Sequence, residues 1–333
     1  MTITAESNDQ STSSSEDNYF DQLRILSEAS VHKRFDPYLD IDWDSPAFAL
    51  DVADRRWILP ESDIVGRHPW YRALPEGRQI DIGRWRIANI YKVGLQFESI
   101  LIRGITQYSF TVPNGSPEFR YCVHEAAEEC NHTMMFQEMI NRIGLDVPGV
   151  SWWMRGLSPL IPLVAGLSPT IFFIGILAGE EPIDHTQKSM LRDRRADIHP
   201  LALRVMEIHV AEEARHISFA HQFIERRVTR MNPLGQLVMS VAFPIAMRWL
   251  VGEIMVPPSE FRKKFDIPQS VIDDMFWDGP ESQEVRRNMF ADVRMLAHKA
   301  GAMNPLGRLV WKICGIDGDT SRFRSEPART HTA

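Results

Sequence analysis

Two short stretches, EECNH at 128–132 and HVAEEARH at 209–216, decide the fold that we expect for this chain. In each stretch a glutamate precedes the final histidine by three residues, and these pairs are Glu129 with His132 and Glu213 with His216. Residues three apart on an α-helix project from nearly one face, so each pair can offer an oxygen and a nitrogen to a metal ion. The repetition favours a dimetal site over two charged surface patches.

A lone glutamate, Glu98, lies 31 residues before Glu129 in the predicted helix 79–109. It shares an apolar stripe with Ile87, Tyr91, Gly94, Leu101 and Ile105. A carboxylate on a core-facing stripe is costly to bury unless it is paired or bound to a metal. Glu98 is therefore a candidate metal ligand.

A second lone glutamate follows the apolar segment IFFIGILAG, 33 residues before the second Glu-x-x-His pair. Either Glu180 or its neighbour Glu181 can serve as the ligand. Glu180 is preferred because it shares a helix face with Phe173 and Leu177. Pro182 comes directly afterwards, and we expect it to disturb the helix beside the site.

His209 adds a third histidine, four residues before Glu213 and on the same helix face as the second pair. It is either a core histidine bonded to a carbonyl or a ligand, and the neighbouring cluster favours a ligand, since imidazole binds iron well. Glu128 and Glu212 lie about 100° from the ligand faces, so we expect hydrogen bonding around the ligands or solvation there. Surface or supporting positions are expected for His124, Glu125, His185 and His221.

Helical periodicity dominates the chain, and one Glu from each of two helices plus two Glu-x-x-His pairs is the pattern of a ferritin-like bundle. The predicted fold is all-α, with a ferritin-like four-helix core and additional peripheral helices. The predicted helices are 20–34, 79–109, 117–144, 168–192, 198–230, 233–255 and 281–300. The predicted organisation is a disordered tail at 1–18, one domain at 19–316 with its core at about 79–230, and a disordered tail at 317–333.

Composition narrows the functional class. A net charge of −7 argues against a nucleic-acid binder, and the three cysteines, which form no C-x-x-C, suit a reducing cytoplasm. No secretory signal is recognisable at the start of the sequence. An uncharged run at 156–179 is long enough to span a bilayer, but its prolines and glycines argue against a continuous membrane helix and leave peripheral membrane contact open. A short repeat, MNPLGQLV at 231–238 and MNPLGRLV at 303–310, is interpreted as two similar helix starts.

The ordered motifs FES, EECNH, GEE and HVAEEARH resemble the arylamine N-oxygenase family, which includes p-aminobenzoate N-oxygenase and the chloramphenicol-pathway N-oxygenase. The resemblance covers residues 80 to 230, and His209 occupies the place of the third histidine that marks this family. It implies a di-iron enzyme that oxidises a primary aryl amine. The implied ligands are Glu98, Glu129, His132, Glu180, His209, Glu213 and His216.

The resulting hypothesis is an O2-dependent oxygenase that holds two iron ions and forms a peroxo-diferric intermediate, with Glu129 and Glu213 as bridges. A manganese–iron pair stays open, because both metals accept these ligands. A small-molecule substrate, O2 and an external electron donor such as a ferredoxin or a reductase are the expected partners, with a homodimer left open and nucleic acid excluded. The alternatives are a di-iron hydroxylase or desaturase for an apolar or acyl substrate, and a ferritin-like metal-storage protein.

Overall fold

The computed structural model describes residues 6–193 and 196–326, with side chains from residue 17 onward, and this part of the chain holds no β-strand. Its α-helices are α1 (Glu6–His32), α2 (Ile64–Arg67), α3 (Pro69–Arg72), α4 (Glu76–Ser109), α5 (Pro117–Ile143), α6 (Trp152–Leu157), α7 (Leu163–Leu167), α8 (Pro169–Arg192), α9 (Pro200–Thr229), α10 (Pro233–Met255), α11 (Ser259–Lys264), α12 (Gln269–Asp273), α13 (Pro280–Met289), α14 (Ala291–Lys299) and α15 (Pro305–Ile313).

Four long helices form the core. Helix α4 packs along α5, and α8 packs along α9, so each pair makes a helical hairpin. The hairpins meet through contacts of α4 with α8 and of α5 with α9, while α10 covers α8 and α1 covers α5. The prediction of an all-α, ferritin-like bundle with peripheral helices is confirmed.

Local sequence explains where these helices begin and end. The side chain of Ser116 accepts a hydrogen bond from the backbone of Glu118 at the start of α5. A proline occupies the first turn of α5, α8, α9 and α10, where no intrahelical donor is needed. Gly144 ends α5 in the left-handed conformation, with φ of 71°, which a glycine adopts without steric cost.

Glycine also sets how closely α4 and α8 approach. A Cβ added to Gly179 would lie 2.0 Å from the ring of Phe97. A second close approach of the same two helices occurs where a Cβ on Gly104 of α4 would lie 2.0 Å from the ring of Phe172 of α8. Because Glu180 follows Gly179 and Glu98 follows Phe97, this close approach brings the two lone glutamates toward each other.

Several segments differ from the sequence predictions. Helix α1 begins at Glu6, before the expected domain boundary at residue 19, and residues 1–5 lie outside the described part. The predicted helix 281–300 is divided into α13 and α14 at Phe290. Helix α8 continues through Pro182, so the proline removes one intrahelical donor without ending the helix.

Part of the predicted tail at 317–333 contacts the rest of the protein in the described residues up to 326. The guanidinium of Arg294 donates to the carbonyl of Asp319 at 2.6 and 3.0 Å, and the backbone of Ser325 donates to Asp292 at 2.5 Å. These contacts attach the segment to α14. Residues 327–333 lie outside the described part.

One helical stretch in the described residues, Pro233–Lys264, has the length and the hydropathy that a membrane crossing would require. Only 44% of its most apolar window is buried. The run at 156–179 instead divides into α6, α7 and the first half of α8. The prediction that prolines and glycines interrupt this run agrees with the observed helices.

Candidate metal centre

The bundle brings the seven predicted ligands into its interior, from all four core helices. Helix α4 contributes Glu98, α5 contributes one Glu-x-x-His pair, α8 contributes Glu180, and α9 contributes His209 with the second pair. None of these side chains is more than 4% exposed. The members are Glu98, Glu129, His132, Glu180, His209, Glu213 and His216.

Six of the seven form two overlapping groups. In the first group, one ligand atom from each member lies within 4.8 Å of the others, and the members are Glu98, His132, His209 and Glu213. The second group satisfies the same limit and comprises Glu129, His132, Glu213 and His216. Because His132 and Glu213 belong to both groups, the two candidate metal positions adjoin each other.

Glu129 stands between the imidazoles of its own helix and of α9. One oxygen lies 3.0 Å from Nδ1 of His132, and the other lies 2.7 Å from Nδ1 of His216. Glu213 lies 3.6 Å from His132 and 3.4 Å from His216. Both carboxylates therefore reach both histidines, as the sequence-based hypothesis of two bridging glutamates requires.

Glu180 is in neither group, yet its two carboxylate oxygens are buried without a hydrogen-bond partner among the described residues. Burial, together with the carboxylates of Glu213 and Glu125, raises the pKa of Glu180 well above its ordinary value. The rival Glu181 accepts a hydrogen bond from His221 at 2.6 Å, if that ring nitrogen carries the proton. Glu181 thus has a hydrogen-bond partner, whereas Glu180 has none among the described residues.

Other buried polar atoms at the centre also lack hydrogen-bond partners in the described structure. They are Oε2 of Glu98, Oε2 of Glu213 and Nε2 of His209. Burial of a polar group without a hydrogen bond costs on the order of several kcal/mol, and burial of an unpaired carboxylate costs more. Carboxylate oxygen and imidazole nitrogen are the donors that bind first-row divalent metals, so the residues present fit a pair of metal ions.

Reciprocal hydrogen bonds orient the histidines of the two motifs. The outer nitrogen of His132 lies 3.0 Å from Glu212, and that of His216 lies 2.8 Å from Glu128. Each motif thus supports the histidine of the other helix, and Arg215 donates to both supporting carboxylates. Such partners fix a ring so that its second nitrogen faces the metal.

His209 is oriented by a residue that the sequence analysis did not identify. Its Nδ1 lies 2.8 Å from the amide oxygen of Gln187 on α8. Its Nε2 lies 3.5 Å from Glu98 and 3.3 Å from Glu213. Gln187 follows Glu180 by seven residues, and this same-face spacing is the signal that could have identified it.

The pKa values of the three histidines are shifted in different directions. Burial opposes protonation of His132, but Glu129 and Glu212 outweigh it and raise the pKa of His132 to about 10. His216 behaves alike, and its pKa lies well above the ordinary value because of Glu129 and Glu213. Burial lowers the pKa of His209 to about 4, so this imidazole is neutral at physiological pH.

An apolar cavity adjoins the centre beside Gln187. Its walls come from α4, α8, α9, α10 and the segment before α9. Most of the wall is aliphatic, and it includes Ile90, Ile183, Met190, Met206 and Ile254. Phe136 separates the histidines from Tyr91, with its ring 5.1 Å from that of His209 and 5.6 Å from that of Tyr91.

Comparison with known proteins agrees with this geometry. The profile of the p-aminobenzoate N-oxygenase AurF family matches residues 16–301. Uncharacterized proteins of Mycobacterium tuberculosis strain H37Rv and of Mycobacterium bovis are each 58% identical over 315 residues, covering 95% of this chain and 92% of each relative. Since the matched stretch includes all four core helices and every candidate ligand, the chain belongs to the p-aminobenzoate N-oxygenase AurF family.

Proposed function

We propose that this protein is an O2-dependent di-iron oxygenase that oxidises the nitrogen of a primary aryl amine. The observation that carries the proposal is the third histidine: His209 is buried, is oriented by Gln187 and presents a neutral nitrogen to Glu98 and Glu213. An ordinary ferritin-like site has one histidine in each of two motifs. Membership in the N-oxygenase family supports the same activity.

In this proposal the seven ligands would hold two metal ions, and Glu129 and Glu213 are the two carboxylates that reach the histidines of both motifs. Bound iron supplies the activation of O2, and an external donor supplies the electrons. The chain itself fixes the ligand geometry through Glu128 and Glu212 and keeps bulk water out of a fully buried centre. Low polarity around the site strengthens every electrostatic interaction within it.

The cavity beside Gln187 is the proposed substrate site. It lies against a ligand-supporting side chain, and an aromatic ring fits aliphatic walls through apolar contact. The same walls favour a second candidate function, hydroxylation or desaturation of an apolar or acyl substrate. The two candidates differ in the atom that receives oxygen or loses hydrogen, and not in the metal centre.

The test begins with anaerobic reconstitution of the full chain with ferrous iron and quantification of bound iron. We expect about two irons per chain. Reduced protein is then given isotopically labelled O2 with a set of anilines or with a set of fatty-acyl substrates, and products are analysed by mass spectrometry. Label on the amine nitrogen supports the proposal, and label only at carbon, or a desaturated product, assigns the second candidate.

The iron content tests the metal centre before any substrate is added. Less than about one iron per chain after reconstitution would overturn both candidate functions, because each of them needs the dimetal site. Full iron loading without modification of any substrate in either set would contradict the proposed chemistry while leaving the metal centre intact. Reconstitution with equimolar manganese and iron in the same assay tests whether a mixed pair gives the activity.

A further inference from the structure

The proposed function does not use the short repeat of the sequence. Its copies begin helices α10 and α15, and the asparagine of each copy caps its helix. Asn232 accepts from the backbone of Gly235 at 2.8 Å, and Asn304 accepts from the backbone of Gly307 at 2.9 Å. The prediction of two similar helix starts is confirmed, and the repeat has a second feature.

Both copies leave their leucines on the surface. Leu234 is 70% exposed and Leu237 is 42% exposed, while the equivalent Leu306 and Leu309 are 41% and 54% exposed. The two helices pack against each other, so the two exposed leucine pairs lie on neighbouring helices. A motif that places apolar side chains in solvent twice, on neighbouring helices, indicates a surface that something apolar covers.

This surface extends over a row of helices in which α7 contacts α8, α8 contacts α10, and α10 contacts α15. We call it the apolar face. Besides the four leucines, its exposed side chains are Leu163, Leu167, Ile171, Val238, Ile245, Trp249 and Ile313. Helix α6 continues it, because the ring of Trp153 stacks on that of Trp249 at 5.7 Å and its neighbour Trp152 is 73% exposed.

The charge of the face is opposite in sign to that of the whole chain. Its segments, 156–179, 231–252 and 298–316, contain no aspartate and no glutamate, although the chain has 44 acidic residues and a net charge of −7. They do contain cations, and these are Arg248, Lys299, Arg308 and Lys312. Three of the four, Lys299, Arg308 and Lys312, are exposed beside the leucines.

These charges discriminate between two occupants. A second copy docked through the same face would bring Arg308 and Lys312 toward segments that contain no carboxylate, and the adjoining Glu253 already accepts a hydrogen bond from Ser151. The headgroups of an anionic lipid surface provide the missing negative charge, and the acyl chains accept the leucines. Tryptophan side chains are enriched at the interface between lipid and water, which fits Trp152 and Trp249.

We propose that the apolar face docks this protein onto the surface of an anionic lipid bilayer. The leucines of the repeat enter the boundary between headgroups and acyl chains, and the lysines and arginines around them contact lipid phosphates. Helix α10 then runs from the bilayer surface to the apolar cavity, where Ile254 and Met255 form part of the wall. Docking concerns only the outer surface and does not require metal at the centre.

The test is co-sedimentation of the full chain, with and without iron, with vesicles of phosphatidylglycerol and phosphatidylcholine or of phosphatidylcholine alone. We expect binding to the anionic vesicles in both metal states and weaker binding at high salt. The double variant Leu306→Gln/Leu309→Gln should bind about tenfold more weakly, because each substitution removes apolar area from the contact. Arg308→Glu/Lys312→Glu should lose the preference for anionic vesicles.

A matched control is Leu39→Gln, which changes an 85% exposed leucine on a different part of the surface, close to Asp36 and Asp40. It should bind as the unaltered chain does. Retention of the unaltered chain in the supernatant with both vesicles would overturn the proposal. It would also be overturned if sedimentation without lipid showed a dimer that Leu306→Gln/Leu309→Gln separates, since the face would then join two copies. Thermal melting confirms that each variant is folded.

Discussion

The two halves of the bundle carry the same motif, and one of the buried positions at which they differ holds a histidine in one half and a glutamate in the other. Four residues before the glutamate of the Glu-x-x-His pair, the α9 half has His209, whereas the α5 half has Glu125. Both side chains are almost fully buried, at 2% and 1% exposure. The sequence analysis expected Glu125 either at the surface or in a supporting position beside the site. The surface position is wrong, because the side chain is buried.

Everything around this position is nearly symmetric. His132 and His216 are each supported by a glutamate of the opposite helix, and Glu129 and Glu213 each reach both histidines. Within the motifs the asymmetry therefore lies in His209 against Glu125 and in Arg215, which donates to both supporting carboxylates, against Asn131. Burial raises the pKa of Glu125 well above its ordinary value and lowers that of His209, so both are driven toward their neutral forms.

The comparison teaches that the two halves differ as sources of metal ligands at this position. His209 belongs to the first candidate ligand group, whereas Glu125 belongs to neither group and is not one of the four carboxylates of the ferritin-like pattern. The α9 half is therefore expected to provide one more ligand than the α5 half. The following predictions test this difference, beginning with the largest expected effect.

Replacement of Glu213 should weaken metal binding at both candidate metal positions. Glu213 belongs to both candidate ligand groups, so Glu213→Ala removes a donor from each metal position. We expect bound iron to fall from about two per chain to well below one. The measurement is elemental analysis after anaerobic reconstitution and desalting.

The control for this variant is Glu207→Ala, on the same helix but with a side chain that is 55% exposed. It should retain iron at the level of the unaltered chain. Equal loss in both variants would indicate a general effect of substitution in α9, and full retention in Glu213→Ala would remove this glutamate from the ligand set.

The direct test of the asymmetry replaces the two differing residues separately. His209→Ala should lower bound iron to about one per chain, because it removes a donor from the first ligand group only. Glu125→Ala should leave the iron content unchanged, since no ligand group contains Glu125. Elemental analysis and the visible spectrum of the oxidised protein report on both variants.

The contrary result is equally informative. If Glu125→Ala loses as much iron as His209→Ala, then Glu125 ionises and binds metal in the loaded protein, and the two halves are functionally equivalent. Unchanged iron in His209→Ala would mean that the third histidine supports the site without binding metal.

Sequence spacing predicted the converging residues but not their mutual orientation. The i, i+3 and i, i+4 intervals placed Glu129, His132, His209 and the second pair on single helix faces, and an apolar stripe selected Glu180 over Glu181. Spacing along one helix contains no information on how a neighbouring helix is rotated. The cross-helix bonds of Glu128 and Glu212 and the contact of Gln187 with His209 depend on that rotation, so they appeared only in the structure.

Peripheral features were predictable to different degrees. The caps of α10 and α15 were expected because asparagine followed by proline is a local signal. The exposure of the leucines after the cap of α10 was not, because a helix that is apolar on nearly every side gives no indication of which side faces solvent. The order of residues 317–326 also depends on distant partners, chiefly Arg294.

The supporting glutamates should give smaller and equal effects in the two halves. Glu128→Gln and Glu212→Gln keep the size of the side chain but weaken the hydrogen bond to the histidine of the opposite helix. Each change should lower metal affinity by about 10- to 100-fold. Competition with a chelator of known affinity measures this, with Glu207→Gln as the control. A large difference in metal affinity between the two variants would show that the two supporting hydrogen bonds contribute unequally, although the motifs are symmetric in sequence.

The smallest expected effect concerns the stability of the metal-free protein against pH. The folded-state pKa of His132 is about 10, above the ordinary value of 6.5. Protonated His132 therefore stabilises the fold fully below pH 6.5, and this contribution is lost as the pH rises toward 10. Burial raises the pKa of Glu98 and Glu180, and their ionisation at high pH acts in the same direction. The melting temperature should fall between pH 7 and pH 9 by on the order of 5 °C.

His209 provides the contrast, because its pKa of about 4 lies below its ordinary value. It is neutral throughout this range, so metal-free His209→Gln should show the same decrease from pH 7 to pH 9. Metal-free His132→Gln should show a smaller decrease, since the proton that stabilises the fold is absent. Binding of metal displaces that proton, so the loaded protein should melt at a nearly constant temperature. If His209→Gln alone flattened the profile in differential scanning calorimetry, the assignment of the proton to the symmetric pair of histidines would be wrong.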